Sequence, residues 1–349
     1  MGSVKRSLPS PPRSDHLGSA PHGVTPSAAE LRWGGPLAVL LCSVIAACST
    51  LPGWSALLFP ELAPLAVVVF SRPTGSWASQ GWQLIAVPTS AAAAGLWIGT
   101  HIPQHGLALL LAAAAAQLLL LLLRSPLAPA LSAAVLPVVL GLHSWAYPLQ
   151  IALGLSVLAL VLSSVRRSGQ HRSDVGLTHA QVPDKGPGQG WGASASGSPP
   201  WLLRWFSYLV LMTALVQLSG WKVLLLPPLI VISHERFAEP GSCPWLGRAW
   251  LLPLASASVS GIGVLAAHWM AGQIALAVAM SLVATLALMR WLRLWLPPLL
   301  AMALLPLLMP QADGRYVLGV VIASIVLACT DWPLCRPRRV KPARQGGLP

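Results

Sequence analysis

The sequence predicts an all-α polytopic membrane protein built as two parallel tandem repeats of about six hydrophobic segments each, some of them broken by proline. Three observations predict it. Hydrophobic residues make up 55% of the chain and charged residues 9%. A soluble domain carries about 25% charged residues, so this chain lacks the charge to cover a water-facing surface. Apolar runs approaching the roughly 20 residues that cross the hydrocarbon recur from Pro36 to Leu327. Finally, one stretch is written twice. Arg124-Ser-Pro-Leu127-Ala-Pro129 returns as Arg293-Leu-Trp-Leu296-Pro297-Pro298, with Arg, Leu and the last Pro each displaced by 169 residues.

Residues 1–33 are rich in Ser, Pro and Gly with Lys5, Arg6 and Arg13, and are expected to be a disordered basic tail. The first membrane repeat is placed at 34–165. Its first run, 36–52, contains Ile45-Ala-Ala-Cys48, the pattern of a lipoprotein processing site. The tail before it is too long for the short basic region of a signal peptide, so an uncleaved helix is expected. The second run, 54–70, follows Gly53 and is interrupted by Pro60 and Pro64. Proline removes a backbone donor and clashes with the preceding turn, so this helix is expected to be kinked or broken. Runs at 82–100, 106–123, 126–141 and 147–164 complete the repeat.

A linker at 166–200 follows, opening on Arg166-Arg-Ser-Gly-Gln-His-Arg172 and continuing rich in Gly, Ser and Pro, a flexible composition. The second repeat, 201–331, carries runs at 202–219, 221–233, 250–268, 272–289, 295–309 and 316–330, with Pro227 and Pro228 inside its second run. Residues 332–349 form a basic tail. Further matches keep strict order: Phe70 and Pro73 with Phe237 and Pro240 at a displacement of 167, Trp82 and Gly95 with Trp250 and Gly263 at 168, and Tyr147 with Tyr316 at 169. Ordered matches at a nearly constant displacement are the mark of duplication.

Charge orients the runs. If all of them cross, all but Lys222 and Arg315 of the 22 Lys and Arg residues lie on the side of the termini. If the second and fifth runs of each repeat were re-entrant, Arg72, Arg124, Arg236, Arg248, Arg290 and Arg293 would move to the far side. The excess of Lys and Arg in cytoplasmic loops favours six crossings. An even number gives both repeats the same orientation, related by an axis along the membrane normal. Both termini and the linker are then cytoplasmic, and a bacterial inner membrane is the expected location. The net charge of +13 sits in tails, linker and loops and not on a folded face, so the lipid bilayer is the expected partner and nucleic acid is not.

At the duplicated stretch the chain resembles the HPP family of integral membrane proteins, whose signature is Arg-x-x-His-Pro-Pro followed by small residues. Arg124, Leu127, Ala128 and Pro129 stand at the Arg, His and two Pro positions of one copy, and Arg293, Leu296, Pro297 and Pro298 at those of the other. The stretch from Leu58-Phe59 to Phe70-Ser-Arg-Pro73 and Gly95 is also similar to the family pattern. The resemblance implies a small integral membrane fold and, through plant and cyanobacterial relatives, nitrite transport. The histidine is absent from both copies, so no role of that residue carries over.

Enzymatic chemistry is not expected. No P-loop, nucleophile elbow or zincin helix appears. His101, His105, His143 and His268 fall in or near outer loops without ligand spacing, the five cysteines are scattered, and neither a cofactor nor a metal is expected. Glu61 is the one acidic residue clearly inside a run. An intramembrane carboxylate is a candidate functional group, set here against a position near the outer interface. Proline-opened runs offer helix N-termini that favour anions.

The candidate substrate pathway is therefore Arg124, Pro129, Ser132, Arg293, Pro297 and Pro298, with Pro60, Glu61 and Pro227 of the second runs. A transporter or channel-like protein for a small nitrite-like anion or a small neutral solute is expected, with a polar cavity where the two copies meet. The alternative is a membrane scaffold without a transport pathway.

Overall fold

The computed structural model describes residues 28–173, 200–240, 243–245, 247–309 and 312–330. Among them are twelve α-helices and no strand. In chain order these are α1 (Ala28–Cys48), α2 (Leu62–Ser71), α3 (Gln83–His101), α4 (His105–Leu122), α5 (Pro129–Leu140), α6 (Ala146–Ser173), α7 (Pro200–Ser219), α8 (Pro227–Ala238), α9 (Leu251–Trp269), α10 (Ile274–Trp291), α11 (Pro298–Leu308) and α12 (Gly314–Cys329). Short 3-10 turns at Ser55–Leu57 and Lys222–Leu225 lead into α2 and α8.

Five helices, α4, the apolar part of α6, α7, α9 and α10, are long and apolar enough to cross a membrane. Their outward faces suit a lipid solvent. Leu107, Leu111, Leu118, Leu121 and Leu122 line the exposed side of α4, and Leu149, Leu153 and Leu160 that of α6. A soluble monomer rarely exposes so much contiguous apolar surface. The inward faces carry small residues, as in Ala108, Ala112, Ala113 and Ala116 of α4, which lets backbones approach where lipid removes the hydrophobic drive between helices. Exposed Trp33, Trp82, Trp145, Trp250, Trp269 and Trp291 lie close to helix ends, the level at which tryptophan anchors to a membrane interface. This is the make-up of a multi-pass helical membrane protein.

The four proline-opened helices behave differently from the rest. α2, α5, α8 and α11 have 10 to 12 residues and are buried along most of their length, α5 from Pro129 to Val138 and α11 from Pro298 to Pro306. They pack on one another, α5 on α8 and α11 on both α2 and α8, and the longer helices surround them. A helix of this length spans about 15–18 Å, half of the roughly 30 Å hydrocarbon. The non-helical lead-ins, such as Ser125–Ala128 before α5 and Leu294–Pro297 before α11, add at most about 14 Å each. The turn bond from the Ala128 N–H to the Pro126 carbonyl at 2.9 Å keeps the lead-in to α5 short of that limit, and the helix alone falls well short of the bilayer.

Proline explains the break. Pro129, Pro227 and Pro298 sit at the first turn of their helices, where the missing N–H has no intrahelical partner to lose. Pro60 precedes α2, while Pro64 is carried in its first turn.

Local geometry recurs at residues 167 to 169 apart. The Tyr147 hydroxyl donates to the Ala133 carbonyl at 2.9 Å and the Tyr316 hydroxyl to the Met302 carbonyl at 2.8 Å. Arg124 and Arg293 have positive φ, 47° and 51°. α3 packs on α4, α5 and α6, and α9 on α10, α11 and α12. Contacts across the two halves are reciprocal: α1 meets α10 and α7 meets α4, α2 meets α11 and α8 meets α5.

Several boundaries differ from the sequence reading. Helix α1 begins at Ala28, inside the stretch expected to be a disordered tail, because Ala-Ala-Glu-Leu-Arg-Trp holds good helix formers and no breaker. α6 continues to Ser173, into the expected linker. Arg166 there donates from Nε to the Pro73 carbonyl at 2.8 Å and from a terminal nitrogen to the Ala78 carbonyl at 2.5 Å, tying the helix end to the α2–α3 connection. The rest of the expected N-terminal tail, most of the linker and the tail at 332–349 lie outside the described residues.

Candidate functional site

The candidate residues divide into a buried group and a surface group. Pro60, Glu61, Pro129, Ser132, Pro227 and Pro298 are buried within the core of short helices, with Pro297 half-buried. Glu61 caps α2 without bonding its backbone. Its Oε1 instead accepts a hydrogen bond from the Ser132 hydroxyl of α5 at 2.6 Å, and its Oε2 is buried without a partner. At 1% exposure the carboxyl is enclosed by protein. The chain reaches it through the lead-in from Gly53 to Pro60, whose outer end is held by Gln150 Nε2 donating to the Gly53 carbonyl at 2.6 Å. Tyr147 of α6 and Glu235 of α8 both lie within electrostatic reach of Glu61.

Arg124 and Arg293 do not join this group. Both are exposed and both end a helix in the left-handed region, where the Arg124 N–H bonds the Leu121 carbonyl and the Arg293 N–H the Arg290 carbonyl, each at 3.2 Å. That conformation costs an L-residue about 1–2 kcal/mol, and glycine is the usual residue there. Arg124→Gly and Arg293→Gly are expected to hold or raise the stability of the purified protein by about 1 kcal/mol, whereas the β-branched Arg124→Val should lower it. Thermal unfolding in detergent checks this, and a large loss with glycine would assign the side chains a packing role.

The site also contains residues that the sequence reading passed over. Helix α8 runs on through His234-Glu235-Arg236, whereas the second run of that half was expected to end at residue 233. His234 is fully buried and Arg236 5% exposed. The His234 ring meets Trp201 and Trp205 of α7 edge to face at centroid distances of 5.5 and 5.0 Å. Trp205 Nε1 donates to Ser233 Oγ at 3.1 Å. The signal was available: Phe237 is the counterpart of Phe70, which ends the corresponding run.

A cavity between the halves was expected. Among the described residues, a crevice of about 630 Å³ lies among α9, α10 and α11 and the adjoining turns, lined by His268, Met270, Ile274, Pro306 and Asp313.

No family model matches the chain. Searches of the curated proteins and of the solved structures return no match either. The HPP-like reading of the duplicated stretch therefore stands on its own residues.

Proposed function

We propose that the protein is an integral membrane transporter or channel-like protein for a small neutral solute or small anion, built as two parallel, HPP-like copies that meet at their short helices. The observation that carries this reading is the core of α2, α5, α8 and α11, four helices too short to cross alone, α5 and α11 behind buried or half-buried non-helical lead-ins and α2 and α8 behind short 3-10 turns whose last residues are buried. Membrane proteins tolerate interrupted backbone only where it is buried in protein or lines a passage, and transporters build their sites from such discontinuous helices. The reciprocal packing of the halves supports a two-fold relation between them, and the uneven spread of Lys and Arg supports an axis along the membrane normal with both termini cytoplasmic.

Between the two solute classes the neutral one has the stronger support. The core holds the buried carboxyl group of Glu61, with half-buried Glu235 beside buried Arg236 on α8, while Arg124 and Arg293 lie on the surface. The nitrite-like anion rests on the family resemblance and on the proline-opened helix starts at Pro129, Pro227 and Pro298.

Reconstituted into liposomes, the full chain is expected to speed the passage of a small neutral solute or of nitrite over protein-free vesicles. Arg124→Gln and Arg293→Gln should leave flux per inserted molecule unchanged. Flux equal to the protein-free control for all solutes would favour the scaffold alternative. A cysteine at Asp313, in a cysteine-free background, is expected to react with an impermeant thiol reagent added outside cells, and one at Ser168 is not.

A further inference from the structure

We propose that Glu61 and Ser132 form a proton-binding site in the protein core, the group through which proton movement is tied to solute passage. The second half of this statement rests on the transport reading above; the first half does not.

Glu61 makes one side-chain hydrogen bond, from Ser132, and its second carboxyl oxygen is buried without a partner. An ionised carboxylate offers about four acceptor sites, and one that is buried without a cation or further donors is held at a large cost. The groups on the surrounding elements do not neutralise it. α2 packs on α1, α6 and α11. On α1 the titratable groups among residues with described side chains are Cys42, which is buried, and Cys48, which is exposed. On α6 they are Tyr147, whose hydroxyl is committed to the Ala133 carbonyl, and Arg166 and Arg167 at its far end, Arg166 being bonded to the Pro73 and Ala78 carbonyls. Neither α11 nor α5, which supplies Ser132, has any titratable residue. On α8, which packs on α5 and α11, the titratable groups are His234, Glu235 and Arg236; Glu235 lies within electrostatic reach of Glu61 and when ionised would repel its charge, while His234 and Arg236 each have interactions of their own.

A metal cation is a poor substitute for the proton here. Hard cations take about six or more oxygen ligands. Beside Glu61 the Phe59 and Pro60 carbonyls already accept from the Leu62 and Ala63 N–H groups at 2.9 and 3.3 Å, and the flanking side chains of Phe59, Pro60, Leu62 and Ala63 are apolar and buried. A proton needs only the carboxyl itself. Bound there, it leaves one oxygen to accept from Ser132 and makes the group neutral. Intramembrane carboxyl groups of this kind serve as proton relays.

The test is infrared difference spectroscopy of the full-length protein during a pH titration, in detergent and without solute. The wild type is expected to show a protonated-carboxyl band that fades as pH rises. Glu61→Gln should remove that band and Ser132→Ala should shift it, since the hydroxyl bonds the same group. No loss of band intensity in Glu61→Gln relative to the wild type, no titrating band at all, or loss of the Glu61 band on adding sodium at constant pH would overturn the site, with Glu235→Gln measured alongside so that the second carboxyl is told apart. If Glu61→Gln does not fold, Glu61→Asp replaces it, with a shifted band expected and an unshifted one counting against. In liposomes, flux through the wild type is expected to respond to a pH gradient, and whatever flux Glu61→Gln carries is expected not to. The assigned band without solute flux would leave the proton site standing and remove the transport reading; flux without the band would do the reverse.

Discussion

Replacing Gly95 with alanine is expected to destabilise the protein by about 3 kcal/mol or more, at the upper end of what overpacking costs. Gly95 lies on the buried face of α3 against α5. A Cβ there would fall inside the Ala134 carbonyl group, with the Ala134 Cα at 2.7 Å. These are backbone atoms, which cannot swing away as a side chain does, so α3 and α5 would have to separate. Gly263 occupies the matching place on α9, where a Cβ would collide with the Ala303 carbonyl and come within 3.0 Å of Pro306 Cγ. One turn along α3, a Cβ on Gly99 would meet only Val138 Cγ2 at 3.3 Å as its nearest atom. The expected order of damage is Gly95→Ala, then Gly263→Ala, then Gly99→Ala, read as the melting temperature and the folded yield after extraction. Equal effects at Gly95 and Gly99 would show that the α3–α5 approach is not close.

Trp205→Ala is expected to cost about 3–5 kcal/mol, the range for truncating a buried tryptophan. The side chain is 0% exposed, donates to Ser233 Oγ and meets the rings of Phe206 and His234 at 4.9 and 5.0 Å. Lipid is as apolar as the core, so the loss is one of packing and of a hydrogen bond. It should therefore persist in bilayers as in detergent. Trp33→Ala and Trp291→Ala, at 78% exposure each, should change the folded stability by less than about 0.5 kcal/mol. A small effect at Trp205 would mean that α7 and α8 repack without it.

The helical segments were legible because apolar runs and proline carry them. The runs at 82–100 and 106–123 appear as α3 and α4 within a residue at each end, since a lipid-facing helix must be apolar all along its length. The proline-broken runs were legible as breaks. Where within each run the helix starts followed from the position of proline in the first turn, at Pro129, Pro227 and Pro298.

The site was less legible. Composition marks Glu61 as unusual but does not say whether water or protein surrounds it, because that depends on α5, 71 residues away in sequence at Ser132. Charge was read as the end of a membrane run at His234-Glu235-Arg236, although the helix buries part of that triplet against α7. Arg124 and Arg293 misled in the opposite sense. Their duplication pointed to a ligand, and the structure shows that they share an exposed position and a left-handed backbone.

The reciprocal packing of the halves has a consequence for the order of synthesis. Helix α1 ends at Cys48 and its partner α10 begins at Ile274, so more than two hundred residues emerge between them. At about 5–20 residues per second, α1 stands in the bilayer for on the order of tens of seconds before that neighbour exists. During this interval α2, α4 and α5 also wait, for α11, α7 and α8, with small-residue faces turned toward lipid. Glu61 and Ser132 both belong to the part made first, so their hydrogen bond needs no residue of the second half. The nascent first half can thus hold its buried carboxyl in place while the surfaces that will meet the second half are still bare.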